Sequence, residues 1–179
     1  MEVWQLCLLK EVMAKFLTIS DFTNKFEVTT GLYQNDKIQS YLDRYEDEYL
    51  VKLFGVELYD LFIADLDVNN DPQDAKFIQV FEPFNYQEGF SLLISRGIKD
   101  MLLGFLYFEY MKDLVVQTTS VGVVKPEEQN SKVVSAHTPI YLKYNESIKT
   151  YNAIQEYILL NMTTYPEYRG RQKKYAYWL

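Results

Sequence analysis

Between residues 36 and 54 apolar side chains recur every three or four positions: Ile38, Tyr41, Leu42, Tyr45, Tyr49 and Leu53 fall on one side of a helix. Asn35 or Asp36 can cap it and Gly55 can stop it, so the spacing predicts a first helix ending at Phe54. Asp43, Glu46, Asp47 and Glu48 fall mostly on the other side, which predicts a solvated acidic face. A shorter helix is predicted over residues 56–65, with Leu58, Leu61 and Phe62 on one face and a turn-forming cluster after it. Residues 75–81 are too short a pattern to arbitrate between helix and strand, and Pro83 and Asn85 are expected to break the chain.

The most apolar stretch is MLLGFLYF, residues 101–108, which predicts a central helix within residues 91–116. It is apolar on nearly every side and so needs neighbours all round. Gly104 in its middle costs stability unless another backbone approaches closely. A last helix is predicted over residues 144–163, with Ile148, Tyr151, Ile154, Ile158 and Leu159 spaced for burial and Pro166 closing it. Between these two helices lies the charge-poor loop QTTSVGVVKPEEQNSKVVS, residues 117–135, to which any strand is expected to be confined.

The expected fold class is mainly α: a compact helical bundle centred on residues 101–108, with a long loop able to form a β-hairpin and an extended C-terminal arm. Residues 1–17 read as an N-terminal extension, 18–165 as one helical domain and 166–179 as the arm. Met13 opens MAKFLTISDF, which reads as a second start site.

Composition narrows the function. A length of 179 residues fits one domain, and 48% hydrophobic with 24% charged residues is globular rather than disordered composition. Sixteen Tyr and eleven Phe suit a Tyr-rich core and a contact surface equally well. The net charge of −7 disfavours gripping nucleic acid, since phosphate affinity comes mainly from clustered Lys and Arg. One cysteine, Cys7, excludes an internal disulfide and a cysteine-rich zinc site and fits a reducing compartment. The opening MEVWQLCLLKEV lacks the basic start and continuous apolar core of a signal peptide. The apolar run at residues 101–108 is flanked closely by charges and falls short of the roughly 18 residues a membrane span requires, so no membrane partner is expected.

Candidate chemistry is sparse. His137, the single histidine, lies in SAHTP, which has no nucleophile-elbow pattern. Asp65, Asp67, Asn69 and Asp71 imitate the alternating oxygens of a calcium loop, but Asn70 stands where that loop needs Gly and Lys76 where it needs Glu, so an Asx-rich turn is expected. Asn145 and Asn161 begin glycosylation-type triplets, both expected on the last helix. The seven glycines are scattered singly and form no phosphate loop. The expectation is a protein that is not an enzyme and carries no cofactor or metal.

The C-terminal arm changes character. Arg169, Arg171, Lys173 and Lys174 alternate with Tyr168, Tyr175, Tyr177 and Trp178, a composition for docking into a protein groove. It could also stack on and contact nucleic acid, although the acidic remainder of the chain would repel phosphates. A frayed terminus with no docking role is the third reading.

The helix carrying DKIQSYLDRYEDEYLVKLFG, the long helix ending DMLLGFLYFEYMKDL, the loop QTTSVGVVKPEEQNS and the final amphipathic helix together resemble the head-to-tail adaptor proteins of tailed bacteriophages. The resemblance covers roughly residues 18–165 and is one of pattern and order, with no catalytic motif. It implies a homo-oligomeric adaptor ring in the virion neck, twelve-membered in that family, assembled in the host cytoplasm. The ring would bind the portal protein and meet tail or further neck proteins, while DNA passes through without specific binding. Thr118, Thr119, Val121, Gly122, Val123, Val124, Pro126, Val133 and Val134 would form the subunit-contact loop. Tyr168, Arg169, Arg171, Lys173, Lys174, Tyr175, Tyr177 and Trp178 would form the portal-docking arm. The extension before Met13 and the aromatic end of the arm fall outside the resemblance. The alternative reading is a small helical nucleic-acid-binding or regulatory protein that uses the basic aromatic tail.

Overall fold

The computed structural model describes residues 16–28, 32–115, 117–119, 122–124, 137–169 and 174–175. Two single 3-10 turns, Ile19–Asp21 and Asn24–Phe26, lead into α1 (Leu32–Phe54), α2 (Val56–Ala64) and α3 (Ala75–Phe81). An antiparallel hairpin follows, β1 (Phe84–Glu88) and β2 (Ser91–Ser95), then α4 (Ile98–Val115), a small second hairpin of β3 (Gln117–Thr119) and β4 (Gly122–Val124), and α5 (His137–Leu160). The fold is mainly α with hairpins, as the helical periodicity predicts.

Helix α1 starts at Leu32, so Asn35 lies within its first turn rather than capping it. Gly55 ends it as expected: it adopts φ 79°, a region that penalises any Cβ, and its N–H donates to the Val51 carbonyl at 2.8 Å. That sharp stop lets α2 begin at the next residue and fold Leu58 and Phe62 back into the core. Residues 75–81 resolve as a helix capped by Asp74, whose carboxylate accepts from the Lys76 N–H.

Helix α4 is the centre of the core. Met101, Leu102, Phe105, Leu106, Tyr107 and Phe108 are all buried, and the helix packs along α5 on one side and α1 on another. Gly104 is where α4 and α5 meet: an added Cβ would lie 1.9 Å from the Ser147 Oγ and 3.3 Å from the Lys143 carbonyl oxygen. The close approach expected from Gly104 is thus present, with Ser147 facing it.

Three expectations are corrected. The first concerns strands, which are not confined to residues 117–135. Phe84–Glu88 and Ser91–Ser95 pair, with Phe84 opposite Ser95 and Glu88 opposite Ser91, so Pro83 and Asn85 open a strand and the central helix starts at Ile98 rather than near Ser91. Gly89, at φ 57°, and Phe90 make the two-residue turn, the primed geometry whose twist matches paired strands.

The second correction concerns the acidic face of α1. Glu46 is buried at 1% exposure, and its carboxylate accepts from the N–H groups of Phe16 (3.2 and 3.3 Å) and Leu17 (3.2 Å). Buried backbone amides need an acceptor, and the Glu46 carboxylate supplies it to the N-terminal strap, residues 16–28. The strap itself belongs to the core: Phe16, Leu17, Phe22, Phe26 and Val28 are buried, and Phe16 stacks on Phe62 at 5.5 Å. The core therefore includes Phe16 and Leu17, two residues assigned to the N-terminal extension from sequence.

The third concerns α5, which begins at His137 and ends at Leu160, well before Pro166. Turns over residues 161–164 end it, and the Tyr157 carbonyl accepts from both the backbone N–H of Asn161 at 3.1 Å and its side-chain amide at 2.8 Å. Asn145 lies on α5 and Asn161 just past it.

Candidate functional site

The β1–β2 hairpin has two unlike faces because side chains alternate along a strand. Phe84 and Tyr86 of β1 point inward and pack on Tyr157 of α5, each at 5.0 Å between ring centroids. Their cross-strand partners Ser95 and Leu93 share that face, Ser95 buried and Leu93 half-buried. The opposite face carries Leu92 and Ile94, 58% and 56% exposed, and Phe90 at the turn is fully exposed. Leu92 and Ile94 line a groove of about 570 Å³ between β2 and α5, together with Lys149, Asn152, Ala153, Glu156 and Leu160 of α5. Among the described residues this is an exposed apolar edge, and the sequence reading missed it. The signal was present as Gly89 between the alternating segment FNYQE and the apolar segment SLLIS.

The expected contact loop is partly described. Thr118 and Thr119 lie on β3 and Gly122, Val123 and Val124 on β4, with Gln117 opposite Val124, Thr118 opposite Val123 and Thr119 opposite Gly122. A hairpin therefore does form there. Val121, Pro126, Val133 and Val134 lie outside the described residues.

The start of the arm, and the residue before it, pack on the bundle. Tyr165 and Tyr168 are buried at 1% exposure, and the Tyr165 hydroxyl donates to the Lys76 carbonyl at 2.6 Å. Arg169 forms an ion pair with Glu57 of α2 at 2.9 Å and donates to the Pro166 carbonyl at 2.8 Å. Tyr175 is exposed. Arg171, Lys173, Tyr177 and Trp178 lie outside the described residues.

Lys174 is held closely. The Asn152 side chain brackets its backbone, donating to the Lys174 carbonyl at 2.8 Å and accepting from its N–H at 3.0 Å. The Lys174 ammonium sits 4.7 Å from the Tyr49 ring centroid, 5.1 Å from Phe105 and 5.2 Å from Tyr151. Those rings come from α1, α4 and α5. Tyr49 and Phe105 stack at 4.4 Å, and Tyr151 stands edge-on to Phe105 at 6.1 Å. Two walls are fixed from behind, because the Tyr49 hydroxyl donates to Glu109 and the Tyr151 hydroxyl to the Lys52 carbonyl. Burial, reinforced by the Lys52 charge, holds the Lys174 ammonium below the usual lysine range.

The acidic turn after α2 is organised by backbone donors. Asp67 accepts from the N–H groups of Asn69 (2.8 Å) and Asp71 (2.9 Å), while Asp65 accepts from those of Gln73 and Asp74 at 2.8 Å each. Asn70 supplies the left-handed corner at φ 62°. Backbone donation, chiefly from Asp71, holds the Asp67 carboxyl below its usual value. This is the Asx-rich turn read from the sequence. Among the described residues no group of three or more His, Cys, Asp or Glu side chains is placed to hold a metal ion. Among them also, no helix is long and apolar enough to cross a membrane.

Comparison with protein-family models, with curated proteins and with solved structures finds no match to this chain.

Proposed function

We propose that this chain is a structural virion subunit, an adaptor that closes into a ring between the portal and the tail of a phage particle and extends the DNA channel. The observation that carries the reading is the outward apolar face of the β1–β2 hairpin, with Phe90, Leu92 and Ile94 exposed beside the α5 groove. Contiguous exposed apolar surface rimmed by polar groups marks a protein-binding face. The rest of the chain suits such a subunit: a rigid bundle, a second hairpin at β3–β4, and an acidic net charge of −7 that favours passage of DNA over adhesion to it.

The nucleic-acid reading loses two of its cations, since Arg169 is paired with Glu57 and Lys174 is enclosed by aromatic rings. The test is reconstitution: the purified chain mixed with portal particles should give rings on the portal in electron micrographs. A chain that neither self-associates nor binds portal overturns the proposal.

A further inference from the structure

The β1–β2 hairpin has two outer edges, and they are built differently. In a two-residue hairpin the pair beside the turn exchanges hydrogen bonds and the following pairs alternate, so Glu88–Ser91, Tyr86–Leu93 and Phe84–Ser95 are the bonded pairs of this ladder. The backbone N–H and C=O groups of Leu92 and Ile94 therefore point away from β1, along the free edge of β2. Among the described residues nothing bonds to them. An unpaired edge is a template for another strand, and proteins blunt such edges with charges, prolines or bulges. Strand β1 is entered through Pro83 and ends in Glu88, whereas β2, reading SLLIS in unbroken register, has no charge, proline or bulge. Its edge opens on the groove against α5, which is charged differently at its two ends. Arg96, just past β2, donates to Glu146 at 2.7 Å, which fixes the base of the hairpin beside that part of α5 and puts Lys149 at the base end of the groove. Glu88 lines it at the turn end, and both side chains are exposed.

We propose that the free edge of β2 pairs with β2 of a second copy of this chain, antiparallel about a two-fold axis at Leu93, so that the two hairpins join into one sheet. About that axis Leu92 lies opposite Ile94 of the second copy, and Ile94 opposite its Leu92. Each of these pairs exchanges both backbone bonds, and the exposed side chains meet as apolar cross-strand pairs on the outer face. The same axis brings the Lys149 end of each groove to the Glu88 end of the other, so the contact is complementary in charge, as a self-matching surface must be. A strand of any protein could bond to the edge, but this edge matches itself in backbone, apolar pattern and charge together. The pairing does not rest on the ring reading: a two-fold contact joins two copies and closes no ring, and it covers the apolar edge of the free chain.

The experiment is sedimentation velocity on the full chain alone across a concentration series, with amide hydrogen exchange over residues 91–95. The wild-type chain should pass from monomer to dimer as concentration rises, and the Leu92 and Ile94 amides should exchange more slowly in the dimer. Leu92→Pro removes an outward N–H while sparing the β1 ladder and should leave a folded monomer. Leu92→Lys, which puts a charge on the edge, serves should the proline variant fail to fold. Lys149→Glu and Glu88→Lys should each weaken the dimer about tenfold, because the two-fold reverses two contacts at once, and combining them should restore it. A chain that stays monomeric throughout the series, a dimer indifferent to both Leu92 variants, or a combined charge exchange no tighter than the single ones overturns the proposal.

Discussion

Ser147 leaves Gly104 no room for a side chain: a Cβ on Gly104 would stand 1.9 Å from the Ser147 Oγ, inside the contact distance of any two heavy atoms. The α4–α5 interface is therefore set by one glycine facing one small polar residue. Gly104→Ala gains up to about 1 kcal/mol of helix propensity, but overpacking costs about 1 to 3 kcal/mol, so a net loss of stability is expected in urea unfolding. Adding Ser147→Ala removes the Oγ and should recover part of that loss. A double variant no more stable than Gly104→Ala alone would place the clash elsewhere.

Glu46 ties the N-terminal strap to α1 by accepting from two amides in the core. Leaving a buried amide unsatisfied costs about 1 to 3 kcal/mol, and Glu46→Ala is expected to lose that much while exposing the strap to proteolysis near Phe16. Retention of stability to within about 0.5 kcal/mol would mean that the phenylalanines alone hold the strap.

Tyr49, Tyr59 and Tyr165, buried or half-buried, predict an alkaline limit. Tyr49 donates to Glu109 and Tyr59 to Asp47, and burial, with those carboxylates, raises both phenols far above the usual 10.0. Burial raises Tyr165 likewise. Unfolding frees these phenols to ionise near pH 10, so above that pH the unfolded chain binds fewer protons than the folded one. The stability they contribute is thus fully present below pH 10 and is lost as pH rises beyond it. Melting temperature should be flat between about pH 8 and 9 and fall steeply by about pH 11. Tyr49→Phe should flatten part of that fall; an unchanged slope would assign it to other groups.

Leu92 and Ile94 face outward, so Leu92→Asp combined with Ile94→Asp should leave monomer stability within about 0.5 kcal/mol. The same variant should lose association with portal particles, read by co-sedimentation. A large drop in stability would show that this face supports the monomer instead of serving a partner.

What could be read from the chain followed from local periodicity. The α2 helix, the apolar core of α4 and the crowded Gly104 are each announced by residues within a turn or two of one another. Glu46 was legible too, since it lies four residues after Leu42 and three before Tyr49, on the buried stripe itself. Charge was allowed to outweigh position there. The β1–β2 hairpin was obscured because Leu92, Leu93 and Ile94 form a continuous apolar run that merges with the helix after it.

By itself, then, the sequence determined a mainly helical bundle, its central helix α4 and the stop of α1 at Gly55, because backbone propensity and side-chain spacing act over a few residues. Only the tertiary structure decided that the strap amides meet Glu46, that the hairpin turns Leu92 and Ile94 outward, and that Lys174 enters a box of rings from α1, α4 and α5. Those contacts join residues as far apart as Tyr49 and Lys174, and no local pattern encodes a distance that exists only once the helices have packed.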